Sequence, residues 1–503
     1  MEPRTTSFLQ SRFLPFFLVV ALFLVYAVFP TQNSTSDAYD YAASVKWQVD
    51  LWRPHHLLYN MTGSGFYTLC QALGFKGQPL EALKFLNSLA AAGCLLVLWR
   101  ILARLQEDTK VQAGLILLAG ASFGTMRYAT ENETYLLPIF FSLLGSYIWL
   151  RYQNQGKWVD VAWSSFWAAF ACLYHQVHFF WWLGLGLGFL ISGPKRGQMV
   201  LTYLVPALVV PLAYAIVMYQ QDIPFPQAHR FVFQDFYKSS VDTSVSSQNF
   251  LLTFISFIRT FLEVHGRLYF LAKAKLFYII PAIITFIIAT VLTRRVVLFR
   301  KKTQLHQRAI FRVHLLILGL QLLFAGYAVG NAEFMVMMPF LVAILIGCYR
   351  LSTSWPLWLA GSALFLWNMA YGVLPNHTFT YTNQTCVYQE VQKHPRALLL
   401  LQDKNAFASF YFYQTGQSYS YAFESWASPE ILSKAINQAR QQRQPIFTDY
   451  SPEAPIFNRA WLMRHRPPSS FFKQFRLEPL TSCPTLYGDQ GLKQLTLPTG
   501  SVP

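Results

Sequence analysis

Long apolar runs separated by short basic stretches fill the first three quarters of the chain, and the pattern stops at Pro375. Apolar runs approaching 20 residues are the pattern of membrane-spanning helices. Eleven runs read as spans: residues 13–29, 83–99, 111–123, 135–150, 161–174, 177–191, 200–219, 276–293, 313–329, 334–348 and 355–374. Several fall short of the roughly 20 residues that a straight crossing needs, so their helices are expected to extend into the flanks. Only His175 and Gln176 separate the fifth and sixth runs. The first run resembles a signal sequence in outline, but no small-residue cleavage site precedes Pro30 and Asn33, and it reads as an uncleaved first helix.

Charge orients the spans. With the N-terminus inside, the six inside segments hold 17 basic residues: Arg4 and Arg12; Arg100, Arg104 and Lys110; Arg151 and Lys157; Lys195 and Arg196; seven between Arg294 and Arg312; and Arg350. The much longer outside loops hold 10. Basic residues concentrate on the cytoplasmic side of membrane proteins, so this parity is the expected one. An odd number of spans then leaves the C-terminal region outside. The expected organisation is a membrane module over residues 1–375, with outside loops 30–82 and 220–275, followed by a soluble domain over 376–503.

Composition agrees with this picture. The chain is 54% hydrophobic and 13% charged, against about 25% charged residues in an ordinary soluble protein. The formal charge of +17 lies largely in short loops between apolar runs, an orienting pattern that argues against a nucleic-acid partner. The inside loops carry no phosphate-cradling loop ending in Lys-Ser or Lys-Thr and no dinucleotide fingerprint. Any chemistry is therefore expected on the outer face, with a substrate available there without ATP or a sugar nucleotide.

The unusual residues gather on that face. The first outside loop contains Asp37, Asp40, Tyr41 and Asp50, then Arg53-Pro54-His55-His56. Carboxylates beside a membrane can take a proton from a hydroxyl, and imidazoles can carry protons or bind a metal. The same acids also fit a solvated loop that caps a helix, and the histidines also fit ordinary polar packing. Residues 127–135 add Arg127, Glu131 and Glu133, with Thr130 or Asn132 as possible caps of the next helix. Residues 249–275 read as one amphipathic interfacial helix. It carries Arg259, Glu263, His265, Arg267, Lys273 and Lys275, cations suited either to a lipid phosphate or to snorkelling.

Taken together, these residues resemble the GT-C glycosyltransferases, which include protein O-mannosyltransferases and bacterial lipid A aminoarabinose transferases. The family's acidic motif, Asp-Glu-x-x-Tyr-Ala just outside the first span, is similar to Asp37-Ala38-Tyr39-Asp40-Tyr41-Ala42. Here the second acid is missing and Asp40 is additional. Arg53-Pro54-His55-His56-Leu57 resembles the proline-containing segment that follows. Gly330-Asn331-Ala332-Glu333-Phe334 with Met338-Pro339 resembles the loop before the late helices, without its usual basic residue. The resemblance implies a polyprenyl-phosphate or dolichyl-phosphate sugar donor, an acceptor hydroxyl and inversion by direct displacement. It implies Asp37 as base with Asp40 second. It implies Arg53, Arg127, Arg267 and Lys273 around the lipid phosphate, Tyr41, His55 and His56 at the substrate, and Glu131 or Glu133 orienting the acceptor or a divalent cation, which only some members bind. A transporter or flippase of a lipid-linked sugar is the alternative. It fits less well because the acids crowd one face and no repeated halves are visible.

The region after residue 375 is soluble in composition. Ala397 to Leu401 and Pro445 to Thr448 read as buried strands, and Ser428-Pro429-Glu430 opens a helix running to about Gln441. Alternation of strand and helix predicts a small α/β domain, suited to acceptor selection, closure or a structural cap. Cys386 and Cys483 bracket it in an oxidising space and are expected to pair, whereas Cys70, Cys94, Cys172 and Cys348 read as core thiols. Five Asn-x-Ser/Thr sequons, at Asn33, Asn60, Asn132, Asn376 and Asn383, all fall outside. They suit an endoplasmic reticulum lumen, but the motif layout is nearer the bacterial members, and a bacterial inner membrane is the expected location.

Overall fold

Each of the eleven apolar runs folds as helix in the computed structural model, which describes residues 5–192, 196–237, 246–298, 304–451 and 469–496. Arg4, Lys195, Arg300, Lys301 and Lys302 of the basic loops lie outside the described residues. Among the described residues, five helices are long and apolar enough to cross a membrane by length and composition: Pro79–Leu105, Gln198–Gln220, Leu276–Arg294, Arg308–Tyr327 and Trp355–Thr378. Four shorter helices are also apolar, Phe13–Val28, Thr109–Gly120, Gln176–Leu190 and Ala332–Gly347. Leu136–Gln155 and Trp158–Tyr174 belong to neither set.

The chain divides into two units. A helical unit comprises Met1–Pro30, Gln48–Val264 and Ile279–Leu374, and an α/β unit comprises Thr31–Trp47, His265–Tyr278 and Pro375–Pro503. The α/β unit thus includes a piece of each long loop that precedes the C-terminal region.

In the helical unit, polar side chains fix the points where helices turn. Leu136–Gln155 ends at Gly156 in the left-handed conformation that glycine adopts without strain, and Trp158–Tyr174 runs back beside it. Ser164 Oγ donates to Gly145 O at 2.9 Å, and Arg151 Nε donates to the buried Asp160 at 3.0 Å, closing the pair at both levels. Asn368 is the second fastening. Its amide donates to Ala121 O (2.8 Å) and Phe261 O (2.7 Å), and its Oδ1 accepts from Glu263 N (2.9 Å). Three chain breaks meet at this one buried amide, and a π-turn, Met369–Val373, follows it.

The expected single helix over 249–275 is two, Ser247–Phe261 and Arg267–Ala274. The chain leaves the first at Leu262, which is extended, and enters the second from Gly266 at φ +72°, a conformation no helix interior contains. The first helix is inverted relative to a soluble amphipathic helix. Asn249, Ser256 and Thr260 point inward, while Phe250, Leu251 and Phe254 are exposed, as suits an apolar surrounding.

Antiparallel β1 (Gln304–Leu305) and β2 (Tyr349–Arg350) form a small ribbon in the helical unit. In the α/β unit, β3 (Leu398–Leu401), β4 (Ala422–Glu424), β5 (Ile446–Thr448), β6 (Arg476–Pro479) and β9 (Lys493–Thr496) form a mixed sheet of order β4-β3-β5-β9-β6. A separate hairpin is made by β7 (Pro484–Thr485) and β8 (Gly488–Asp489). The interior strand β3 is parallel to β4 and β5 and is covered on both faces, which explains its unbroken leucine run. Leu398 and Leu400 pack with Leu432, Ile436 and Phe472, and Leu399 and Leu401 pack with Val387, Val391 and Phe407. The helix opened by Ser428 spans Pro429–Gln441, with Ser428 Oγ accepting from Ile431 N. Cys386 and Cys483 form a disulfide, their Cα atoms 6.1 Å apart.

Candidate active site

In the helical unit the chemistry-bearing residues converge on a turn at 130–135, between helices Phe123–Ala129 and Leu136–Gln155. The turn is buried along its whole length, and Glu131 and Asn132 have no exposed surface. Buried backbone demands partners. Helix Pro79–Leu105 supplies them. Asn87 Nδ2 donates to Glu131 O and Glu133 O, both at 2.7 Å, and Ser88 Oγ donates to Ala129 O at 2.7 Å. Tyr59 donates its hydroxyl to Asn132 Oδ1 at 2.7 Å.

Glu131 is paired with cations of the same unit. Glu131 faces Arg127 Nη2 at 3.4 Å and Lys84 Nζ at 3.9 Å, and its Oε1 accepts from Asn132 N at 2.9 Å. Arg127 Nη1 is buried without a hydrogen-bond partner. Glu333 accepts from Tyr135 OH at 2.9 Å, and the Tyr135 ring lies edge-on to Tyr128 at 4.8 Å. Burial, Glu333 and Glu133 push the Tyr128 hydroxyl up, while Arg127 and Arg259 oppose them, so all four charges surround this ring.

A histidine ladder extends from Tyr135. Ring centroids step from Tyr135 to His175 (5.3 Å), to His56 (4.6 Å) and to His55 (4.1 Å). His56 Nδ1 donates to Tyr174 O at 3.1 Å, and His175 Nδ1 accepts from Val177 N at 3.3 Å. Burial holds both imidazoles well below the usual range, and their histidine neighbours add to the effect, with Arg53 also acting on His56. They are therefore neutral at physiological pH. Beyond the ladder lies an apolar cavity of about 500 Å³, lined by Gln176, Val177, Phe180, Trp182, Tyr214 and Phe324 among others. Phe324 contacts Phe334, which in turn contacts His175.

In the α/β unit, Asp37, Asp40 and Tyr41 lie on helix Ser36–Trp47, whose start is capped by Thr35 Oγ1 accepting from Ala38 N at 3.0 Å. Asp37 is exposed in the first turn, Asp40 is half-buried, and Tyr41 is buried in the helix's packed face. Arg267 opens helix Arg267–Ala274, with its guanidinium 4.7 Å over the Tyr381 ring, and Lys273 is exposed near its end. Among the described residues, no group of three or more His, Cys, Asp or Glu side chains is placed to hold a metal ion.

No protein-family model and no curated protein sequence matches the chain. Among solved structures, one similar fold is the crystal structure of ArnT from Cupriavidus metallidurans in the apo state. The TM-score is 0.48 with 10% sequence identity, over 95% of this chain and 97% of that one.

Of the residues singled out from sequence, the helical unit thus holds Glu131 and Glu133 in one buried turn, Arg127 on the helix before it, and His55, His56 and Arg53 at the far end of the ladder. Asp37, Asp40, Tyr41, Arg267 and Lys273 belong to the α/β unit. Sequence reading passed over Lys84, Asn87, Tyr135 and His175. A signal for the first two was present, since Lys84, Asn87 and Ser88 share one face of a long apolar helix at spacings of three and four. His175 was visible only as a separator between two spans. The sequons are structural here: Asn60, Asn132 and Asn376 are buried, and the amides of Asn33 and Asn383 both donate hydrogen bonds.

Proposed function

We propose that this chain is an integral membrane glycosyltransferase of GT-C type, with eleven crossings, a cytoplasmic N-terminus and an α/β unit on the periplasmic side of a bacterial inner membrane. It moves a sugar from a polyprenyl-phosphate donor to an acceptor hydroxyl. The acceptor oxygen forms a bond to the anomeric carbon as the bond to the phosphate oxygen breaks on the opposite face, inverting the configuration. The hydroxyl proton passes to a carboxylate, and polyprenyl phosphate leaves with the electron pair. Asp37 is the proposed base, with Asp40 second. Arg53, Arg127, Arg267 and Lys273 are the candidates for holding the leaving phosphate, whose developing charge calls for preorganised cations. Glu131 and Glu133 are candidates for orienting the acceptor through their neighbours, and no step is routed through a metal.

The observation that carries a lipid donor is the apolar cavity beside the histidine ladder, with Gln176 adjacent in sequence to His175, whose ring neighbours Tyr135 at the end of the ladder that meets Tyr128 and the Arg127 charge. A ligand with a long apolar tail and an anionic head matches such a surface, and a free nucleotide sugar does not. The test is transfer in proteoliposomes from labelled polyprenyl-phosphate sugars to a panel of hydroxyl acceptors, comparing wild type with Asp37→Asn. The expected outcome is turnover in the wild type, with a loss of about 100-fold or more in the variant at unchanged donor binding, in the range of a general base. Unchanged turnover in Asp37→Asn would remove the base assignment, and lipid translocation without transfer would favour the flippase.

A further inference from the structure

We propose that the C-terminal α/β unit is the mount of the acidic helix, and that Trp47 and Tyr39 are positioning residues that set where Asp37 stands. This rests on the reading of Asp37 as the base.

The helix Ser36–Trp47 precedes the Pro375–Pro503 part of the α/β unit by more than 300 residues of chain, yet it is held to it at both ends. Before the helix, Asn33 Nδ2 donates to Asn376 O (2.9 Å) and Phe379 O (2.7 Å), its Oδ1 accepts from Tyr381 N (2.7 Å), and Gln32 N donates to Asn376 O (2.9 Å). One side chain and the backbone beside it thus replace a strand-like set of bonds.

At the far end, Trp47 completes another helix. Helix Lys404–Thr415 stops at Gly416, φ +72°, whose N–H donates to Phe412 O at 2.8 Å, and carbonyls of this last turn can each accept a further donor. Trp47 Nε1 donates to two of them, Phe412 O at 3.1 Å and Tyr413 O at 3.3 Å. The indole lies so close to Gly416 that a Cβ there would stand 3.1–3.3 Å from three of its ring atoms. Lys46 places its ammonium 4.7 Å from the Tyr413 ring and 5.1 Å from Trp47, where a cation also favours the negative end of a helix.

Between the ends, Tyr39 meets Phe410 edge-on at 5.0 Å and Tyr413 at 5.7 Å, and the fully buried Ala42 and Ala43 permit close approach. Asp37 is left as the outward residue of the first turn, two positions from Tyr39. The domain's work is therefore to carry the acid rather than to select the acceptor.

The test uses the full-length protein in proteoliposomes with two readouts, hydrogen exchange over residues 36–47 and steady-state transfer. Trp47→Ala and Tyr39→Ala are expected to raise exchange in the helix about tenfold or more. They are expected to lower kcat on the order of 10- to 100-fold, because a misplacement of about 1 Å is felt on that scale, with donor KM unchanged. Trp47→Phe keeps the ring without the donor and should fall between. Gly416→Ala should reproduce the loss from the partner side, since it pairs a strained φ with a steric push on the indole. Unaltered exchange in both Trp47→Ala and Tyr39→Ala overturns the mount. Raised exchange with unaltered kcat overturns the positioning role. If the wild type itself shows no transfer, the transferase reading fails, and the exchange data alone still decide whether the helix is mounted.

Discussion

The turn at 130–135 and helix Ser36–Trp47 both carry carboxylates, and they are built in opposite ways. The turn at 130–135 hides Glu131 completely and surrounds it with Arg127, Lys84 and the amide of Asn132, while Asn87 satisfies the backbone on either side. Helix Ser36–Trp47 hides its aromatic and alanine face and leaves Asp37 in the open. A buried charge must be paired and hydrogen-bonded, and pairing occupies its lone pairs. Asp37 keeps exposed surface, and Ser36 Oγ beside it stands 3.4 Å from its Oδ1. On the proposed function the second region supplies the base, whereas Glu131 of the first is already paired within the fold.

The sharpest way to break this comparison is to strip the partner from the buried acid. Arg127→Met removes a cation paired with the buried Glu131 and is expected to destabilise the protein by about 3–5 kcal/mol, the cost of breaking a buried ion pair. Thermal unfolding in detergent measures it, and adding Glu131→Gln should restore much of the loss. If Arg127→Met unfolds at the wild-type temperature, the pair is not structural. Next in size is Asn87→Leu, which abandons two buried carbonyls at roughly 1–3 kcal/mol each. Asp37→Asn, by contrast, should change stability by less than about 0.5 kcal/mol while abolishing most transfer, as an exposed position predicts. Equal stability losses at Asn87 and Asp37 would erase the distinction between the two regions.

The two regions also differ in how far the sequence reveals them. Apolar runs announced the helices of the first unit because period and length are local properties. Leu398 to Leu401 and the Ser428-Pro429 start announced β3 and helix Pro429–Gln441 for the same reason. Asp37 was legible through its place after the first apolar run and its Tyr-Ala register. What stayed hidden depends on contacts distant in sequence. Asn87 serves a turn more than forty residues away, His175 meets His56 across more than a hundred, and Trp47 caps a helix that begins at Lys404. Nothing in the local pattern around Trp47 distinguishes it from an interfacial tryptophan. The break at 262–266 was also invisible, because the apolar period continues through it and only Gly266 and the distant Asn368 end it.

The smallest expected effect tests a third set of acids, in the unit that carries Asp37. Asp403, Glu424 and Asp449 stand at the carboxyl ends of the parallel strands β3, β4 and β5. Burial pushes Glu424 up to about 7 and Asp449 up to about 6. Hydrogen bonds from Lys404 N to Glu424, and from Gln402 N and Asn383 to Asp449, pull the other way, and Asp403 adds repulsion to both. The folded domain therefore keeps protons that the unfolded chain has already released near pH 4. Stability then falls as pH rises from the unfolded values through about 7, the reverse of the usual carboxylate behaviour. Hydrogen-exchange protection of β5, corrected for the intrinsic pH dependence, should decline between pH 5 and 8. Glu424→Gln keeps an acceptor for Lys404 N and removes the titration, so its profile should be flatter above pH 6. The change is expected to be modest because Glu424 is only half-buried and water screens it. A profile as steep as the wild type would assign the pH dependence to Asp449 alone. A wild-type protection that rises with pH would mean that hydrogen bonding outweighs burial at both acids, and that this edge of the sheet resembles the compensated turn at Glu131 more than the open helix at Asp37.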